Sequence, residues 1–499
     1  MQSIGGHAYR ARSLHHALFN VASITGLTIL LVAPARAQTT AAASSAVSSQ
    51  RSNPLDGYIR EAIRANLSLA QDQLDEDRTI AAVREARALR LPAVSFSSRK
   101  TEVDGGLDLG DLVNPAYRAL NQLTGTTAFP TNVGLTLPFA QETRVRLAQP
   151  IYQPAIGAGI RAASAARDAQ SAATRAAARR LAAEVQRSYW GVASAERVAE
   201  LYRATLPLVD ENVRVNERLL ANGTVTPEAV LRARAERSEV VQQLADAEQQ
   251  HSAALRAFNM LLDRPFDAAV ELLPDSALDA FGDVTQGLTL DALVQHAIAA
   301  RDELRQADFA ITAAAAQEKA ATAAFLPTVA VALDYGVQGN DYRFDRDHDA
   351  LAATVVLEWN VFNGGRDDAR RQQAAIGASR ARVARHELER RVELDVRQAY
   401  DALQVSRAAI TTARDRVAAA RRSFELVTRR HGEGMASQIE FIDARTAYTR
   451  AELNLILTRQ SQAVRAAELE RAAALRDIEP LSFRAKARRA EVEESQSSR

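Results

Sequence analysis

The sequence predicts a mainly α-helical protein with a small β component. It reads as a duplicated helix–strand–strand–long helix–helix repeat, whose strands close into a β-barrel only when several copies of the chain contribute them. Three observations predict this. Ala, Arg, Leu, Glu and Gln dominate most of the chain and favour helix. Against that background Val329, Val331, Leu333, Tyr335 and Val337 alternate with Ala330, Ala332, Asp334, Gly336 and Gln338, the period of two that gives a strand one apolar and one polar face. The whole order of elements also occurs twice.

Taken in order, residues 1–37 read as an export signal. Arg10 and Arg12 are positive, Val21 to Val32 is apolar and uncharged, and Ala35-Arg36-Ala37 places small residues at −3 and −1 of a cleavage site before Gln38. The apolar core is too short to span a membrane comfortably. Removal of this segment takes three Arg and no acid, so 62 basic residues become 59 against 61 acidic ones. The resulting charge of −2 offers no basic footprint for nucleic acid. Residues 38–55 form an Ala/Ser/Thr-rich leader and 476–499 a polar tail, and neither is expected to hold stable structure. The absence of Cys excludes disulfides, thiolate metal sites and a lipidated N-terminal Cys. After residue 37 no apolar run is long enough for a transmembrane helix, so any membrane insertion must use strands.

The first repeat covers 56–262 and the second 289–475, with a linker over 263–288. "EAIRAN" (61–66) matches "HAIAAR" (296–301), and "LPAV" (91–94) matches "LPTV" (326–329), each 235 positions on. "NGTVTPEAVLRAR" (222–234) matches "EGMASQIEFIDAR" (433–445), 211 positions on. The excess in the first repeat lies between its strands, within 101–140, where Gly105-Gly106, Asn114-Pro115 and Pro130 suit an extracellular loop. In each repeat a helix of about 35 residues ends at Leu-Pro, two strands follow, then a very long helix, a tight turn and a return helix. The second strand of the second repeat is expected over "LAATVVLEWNVF" (351–362), and its counterpart includes "TRVRLAQPIY" (143–152).

The long helices carry a heptad seam. Val396, Leu403, Ile410, Val417 and Phe424 recur every seven residues, with Ala399, Ser406, Ala413, Ala420 and Val427 in the complementary position. In the first repeat Val185, Val192, Ala199, Leu206 and Val213 stand in the same places. Pro207 should interrupt the hydrogen-bond ladder and bend its helix. Two strands per repeat make four per chain. Four cannot close a barrel, and an open sheet in lipid leaves edges unpaired. Three chains give twelve strands, an even number within the range of outer-membrane barrels. A small sheet packed against helices is the competing arrangement.

With these elements in view, the chain resembles the TolC-like outer membrane factors. The resemblance is carried by "LEWNVFNGGR" (357–366), "LAQPIYQPAIGAG" (147–159) and the two hairpin tips, and covers roughly residues 56–475. It implies a homotrimer with a twelve-stranded barrel in outer-membrane lipid and a helical coiled-coil tunnel through the periplasm. It also implies docking onto a periplasmic adaptor protein and an inner-membrane pump of RND, ABC or MFS type.

At the tips, Thr226 and Ser437 are expected as helix N-caps, with Pro227 at the first helical position and Ser437-x-x-Glu440 as a capping box. The resemblance assigns a second role to Glu440 and Asp443, as acids that narrow the periplasmic entrance. The first repeat has Ala229 and Arg232 there, so only the second tip could form an acidic ring. Gly223, Thr224, Gly434 and Met435 are the expected adaptor contacts. The sequence departs from the family's best-known latch, with Ala436 where an Arg stands and His431 in place of the tip aromatic.

No enzyme chemistry is indicated, and no cofactor. The three Lys follow no Gly-rich loop, no G-x-S-x-G occurs, and the five His after residue 37 lack ligand spacing. "FDRDHD" (344–349) reads as a solvated loop rather than a cation site. The rival to an export duct is a soluble periplasmic coiled-coil scaffold or adaptor protein without a pore.

Overall fold

The computed structural model describes residues 53–102, 107–133, 136–137, 141–274, 287–339, 349–433 and 435–478. The export signal, nearly all of the leader, most of the tail, Gly434 and most of "FDRDHD" lie outside these.

Each repeat opens with two helices where one was expected. In the first, α1 (Pro54–Ala65) and α2 (Leu67–Ala88) meet at Asn66, whose ψ of 127° leaves the helical region. Its side chain compensates on both sides. It accepts from the Leu69 amide (3.1 Å) and donates to the Leu261 carbonyl (2.9 Å). In the second repeat α6 (Leu290–Ala300) and α7 (Asp302–Thr322) meet at Arg301, with ψ 126°. Arg301 is buried and donates to Asp395 (3.2 Å). Periodicity misses both breaks because the apolar pattern continues across them.

The leader is ordered from Pro54, and Leu55 is fully buried in the first core beside Ile59, Val185, Tyr189, Trp190 and Phe258. The Tyr189 hydroxyl donates to the Glu271 carbonyl (3.2 Å) and accepts from the Leu273 amide (2.8 Å), binding part of the linker to that core. Burial pushes this phenol up to about 12. The tail is also anchored at its start, where Arg476 donates to Asp56 (2.8 Å) and to Glu470. Burial of Leu55 fixes the start of the first repeat, and the ion pairs of Arg476 fix the start of the tail, neither of which composition reveals.

The long helix α4 (Pro154–Ala221) has 68 residues, about 100 Å at 1.5 Å per residue, and α5 (Pro227–Leu261) returns along it. Their counterparts are α8 (Arg366–Gly432) and α9 (Gln438–Ala472). Helix α7 lies between α4 and α8, so the two repeats share one body. Asp302, 1% exposed, joins them by accepting from Arg175 (3.1 Å) and Arg179 (3.2 Å) of α4. Val396, Leu403, Ile410 and Val417 are buried as the heptads require. In the first repeat the seam holds at Val185, Val192 and Ala199, then shifts. Leu206 and Val213 are half-buried, and Thr205, Val209, Asn212 and Asn216 take the interior. The change falls at Pro207, which lies inside α4 without ending it.

The strands form one antiparallel sheet in the order β1 (Ala93–Lys100), β4 (Gln141–Tyr152), β5 (Thr328–Gly339), β6 (Asp349–Glu358). Its central pairing joins the two repeats. Register aligns Phe96, Val145, Tyr335 and Leu351 in one row and Val94, Leu147, Leu333 and Ala353 in the next. Among the described residues nothing covers this face; Phe96 is 71% and Leu351 69% exposed. The opposite face carries Arg99–Glu142 (2.6 Å), Arg144–Glu142 (2.9 Å) and Arg146–Asp334 (3.7 Å). Strand β6 stops at Glu358 rather than Phe362, because β5 begins at Thr328 opposite Glu358 and offers nothing further to pair with.

The excess in the first repeat is not all loop. It contains α3 (Leu109–Thr124), with Pro115 inside the helix, and two-residue strands β2 (Leu107–Asp108) and β3 (Thr136–Leu137). Asn114 and Asn121, seven apart, each exchange two hydrogen bonds with the returning backbone at Val133 and Phe129, at 2.8–3.0 Å. Tyr117 stacks on Phe129. Local hydrogen bonds here outweigh the turn propensity of Asn-Pro.

Gly336 permits the central pairing. A Cβ there would lie 2.2 Å from the Thr143 carbonyl oxygen. Gly336→Ala is therefore expected to strain β4 against β5 by about 1–3 kcal/mol. The yield of folded protein should fall several-fold, and an unchanged yield would mean that the pairing tolerates the methyl group.

Candidate functional site

The ends of the two hairpins are built by different local chemistry. At the first, α4 closes in a Schellman turn: the Gly223 amide donates to the Leu220 carbonyl and the Thr224 amide to that of Leu219, each at 2.9 Å. Gly223 has φ +73°, a conformation that favours glycine. Thr226 stands at the N-cap of α5 with Pro227 following, but its side chain makes no capping hydrogen bond. Its helical end is secured by Pro227 and by Arg232, which donates to Glu228 (2.6 Å).

At the second tip the Met435 amide donates to the Arg430 carbonyl (2.8 Å), the long-range bond of the same turn. Gly434 lies outside the described residues. Met435 is exposed. Ser437 caps α9 reciprocally: its hydroxyl accepts from the Glu440 amide (3.2 Å), and its own amide donates to the Glu440 carboxylate (2.7 Å). The Ser437 amide, followed by its hydroxyl, holds the exposed Glu440 carboxyl below the usual carboxylate range. Asp443 is exposed one turn further along α9. His431 and Ala436 meet directly, with His431 Nδ1 2.9 Å from the Ala436 carbonyl oxygen. The His431 ring stacks on Phe441.

Above the tips a polar network ties the first hairpin to the second. Arg445 of α9 donates to Glu236 of α5 at 2.5 Å, with 7% and 5% of the two side chains exposed. Asn212 donates to the other Glu236 oxygen (3.4 Å), and Asn216 donates to Asn212 (3.0 Å) and to Gln438 (3.1 Å). Burial pushes the Glu236 carboxyl up, with Arg445 opposing. Sequence reasoning missed this network. Its signal was Asn216, which stands where the heptads call for an apolar residue like its counterpart Val427, with Asn212 one turn before it.

The network predicts a non-additive pair. Arg445→Met should cost about 3–5 kcal/mol by stranding a buried carboxylate, and adding Glu236→Gln should recover most of it. The folded carboxyl binds its proton more readily than the unfolded one. The Arg445→Met deficit, present at neutral pH, should therefore shrink as pH falls into the range where Glu236 protonates. Thermal melts of both variants across pH test this, and equal losses in the single and double variants would refute it.

Among the described residues no group of three or more His, Asp or Glu could hold a metal ion, and no helix is long and apolar enough to cross a membrane. A family model described as outer membrane efflux protein matches residues 58–262 and 293–475. The outer membrane efflux protein BepC of Brucella suis biovar 1 (strain 1330) is 23% identical over 278 residues, 54% of this chain and 58% of that relative. Among solved structures, the CmeC outer membrane channel of Campylobacter jejuni superposes with a TM-score of 0.69 at 15% identity, covering 84% of this chain and 85% of that one. A membrane protein from Pseudomonas aeruginosa superposes with a TM-score of 0.68 at 20% identity, covering 84% and 93%. The family model's match takes in all four strands of the sheet, β1 and β4 in its first part and β5 and β6 in its second.

Proposed function

The chain belongs to the outer membrane efflux protein family, and on that premise we propose that it is the outer-membrane channel of a tripartite efflux or type I secretion system. Three copies close a twelve-stranded barrel in the outer membrane, and their helical hairpins line a tunnel through the periplasm. The channel conducts passively and is not an enzyme. The observation that carries this reading is the sheet, with two open edges and an apolar face that nothing among the described residues covers. Strands of 8 to 12 residues suit a tilted crossing of the bilayer. A scaffold without a pore would leave that face in water. Extraction separates the two: the channel stays with the outer membrane until detergent is added, and cross-linking in detergent yields a three-chain band. A monomer washed off by salt would defeat the proposal.

The tips are the periplasmic entrance in this reading. Gly223, Thr224, Gly434 and Met435 meet an adaptor protein, which couples the channel to an inner-membrane pump of RND, ABC or MFS type. Glu440 and Asp443, three apart on α9, form the acidic constriction, six carboxylates in a trimer. The capping box supports a competing role for Glu440. Glu440→Gln with Asp443→Asn separates them, because Gln retains the cap. The constriction predicts weaker cation preference and weaker divalent block in planar-bilayer recordings of the assembled trimer. Unchanged selectivity and block would leave Glu440 as a cap alone.

A further inference from the structure

The repeat contains a template for the contact between copies. In the sheet, β1 and β6 are the open edges. Strand β5 is the counterpart of β1, 235 positions on, so Val94 corresponds to Val329. Val94 pairs with Leu147 and Val329 with Leu357, which makes Leu147 and Leu357 counterparts, 210 positions apart. The pairing of β4 with β5 then specifies what β6 meets when the next strand is β1 of another copy. Ala148 opposite Ala332 becomes Glu358 opposite Ser97, and Gln149 opposite Val331 becomes Trp359 opposite Phe96. The shift between Pro150 and Tyr152, where Tyr152 pairs with Val329, becomes Phe362 opposite Val94.

We propose that β6 pairs antiparallel with β1 of a second copy in this register, and that the pairing extends β6 to Phe362. The proposal rests on the trimeric reading and adds its residue-level seam. A second observation points the same way. Trp359 to Phe362 have no ladder partner among the described residues, and Trp359, Val361 and Phe362 are 57%, 77% and 84% exposed. Their counterparts, Gln149 to Tyr152, are part of β4 and reach a partner strand. The register sets Trp359 against Phe96 on the apolar face and brings Glu358 diagonal to Arg99 on the polar one. A slip of two residues is the natural rival. It would place Glu358 directly opposite Arg99 but would set Trp359 against Ser98 and break the aromatic pair.

The chain has no Cys, so paired substitutions report the seam cleanly. The two edges of one sheet are three strand spacings apart, roughly 14 Å, too far for a disulfide within a chain. Adjacent antiparallel pairs alternate between narrow and wide, so one of each is tested: Glu358→Cys with Ser97→Cys, and Leu357→Cys with Ser98→Cys. Mild oxidation of the detergent-purified protein should give a covalent three-chain band for at least one pair. Glu358→Cys with Arg99→Cys, diagonal at roughly 7–8 Å, should link at least fivefold less. Stronger linkage of the Arg99 pair would establish the slipped register and overturn the proposal. If no pair links while the mass in detergent is three chains, the register falls and the trimer stands. A single-chain mass would remove both.

Discussion

A strand edge in hydrocarbon leaves peptide N–H and C=O groups without partners, at several kcal/mol each, and the other elements of this chain are arranged around that cost. Two edges per sheet demand identical neighbours on both sides, so the rest of the molecule must bring copies together at a fixed angle. The helical body supplies a rigid frame. Helix α7 lies between α4 and α8, and Asp302 with Arg175 and Arg179 fastens the repeats where they meet. Because β4 pairs with β5, the two repeats are also joined through the sheet itself. Neither repeat can shift without disturbing the edges it offers.

Much of this was legible in the sequence because period and duplication survive without context. The alternation from Val329 to Val337 gave β5 its faces, and the seam at Val396, Leu403 and Ile410 is buried as spaced. The breaks at Asn66 and Arg301 were not legible. Both depend on one side chain reaching a distant partner, Leu261 or Asp395, which no local window contains. The helix α3 was hidden for the opposite reason. Asn114-Pro115 has strong turn propensity, yet paired hydrogen bonds to Val133 and Phe129 hold it helical. At the tips, the Ser437 capping box follows from three residues of spacing, whereas the buried pair of Glu236 and Arg445 joins residues 209 positions apart.

The two hairpins also differ in what their interiors are made of. In the body the core clusters are apolar, around Tyr189 and Trp190 in the first repeat and Leu403 and Leu469 in the second, with buried polar contacts such as Asp302 with Arg179 beside them. Toward the tips Asn212, Asn216, Glu236 and Arg445 replace such contacts. A buried ion pair with satisfied partners adds little net stability over apolar packing but penalises any displaced arrangement heavily. The tips are thus specified more sharply than they are stabilised. This distinction suits a region where the hairpins must keep one relative position without a thick core beneath them.

The pairing of β4 with β5 carries a consequence for the order of folding. Gln141 and Gly339 are neighbours in space but 339 − 141 = 198 residues apart in the chain. Contacts between α4 and α5 or between α8 and α9 turn back over a few residues. Closing a long loop costs entropy before any ladder bond forms, and folding slows as contacts become less local. The first hairpin can therefore form while the chain is still emerging into its compartment, and the four-stranded sheet must wait for β5 and β6 of the second repeat. The complete membrane-seeking surface therefore exists only after the second repeat has begun to emerge, which shortens the time for which an unassembled copy presents it to water.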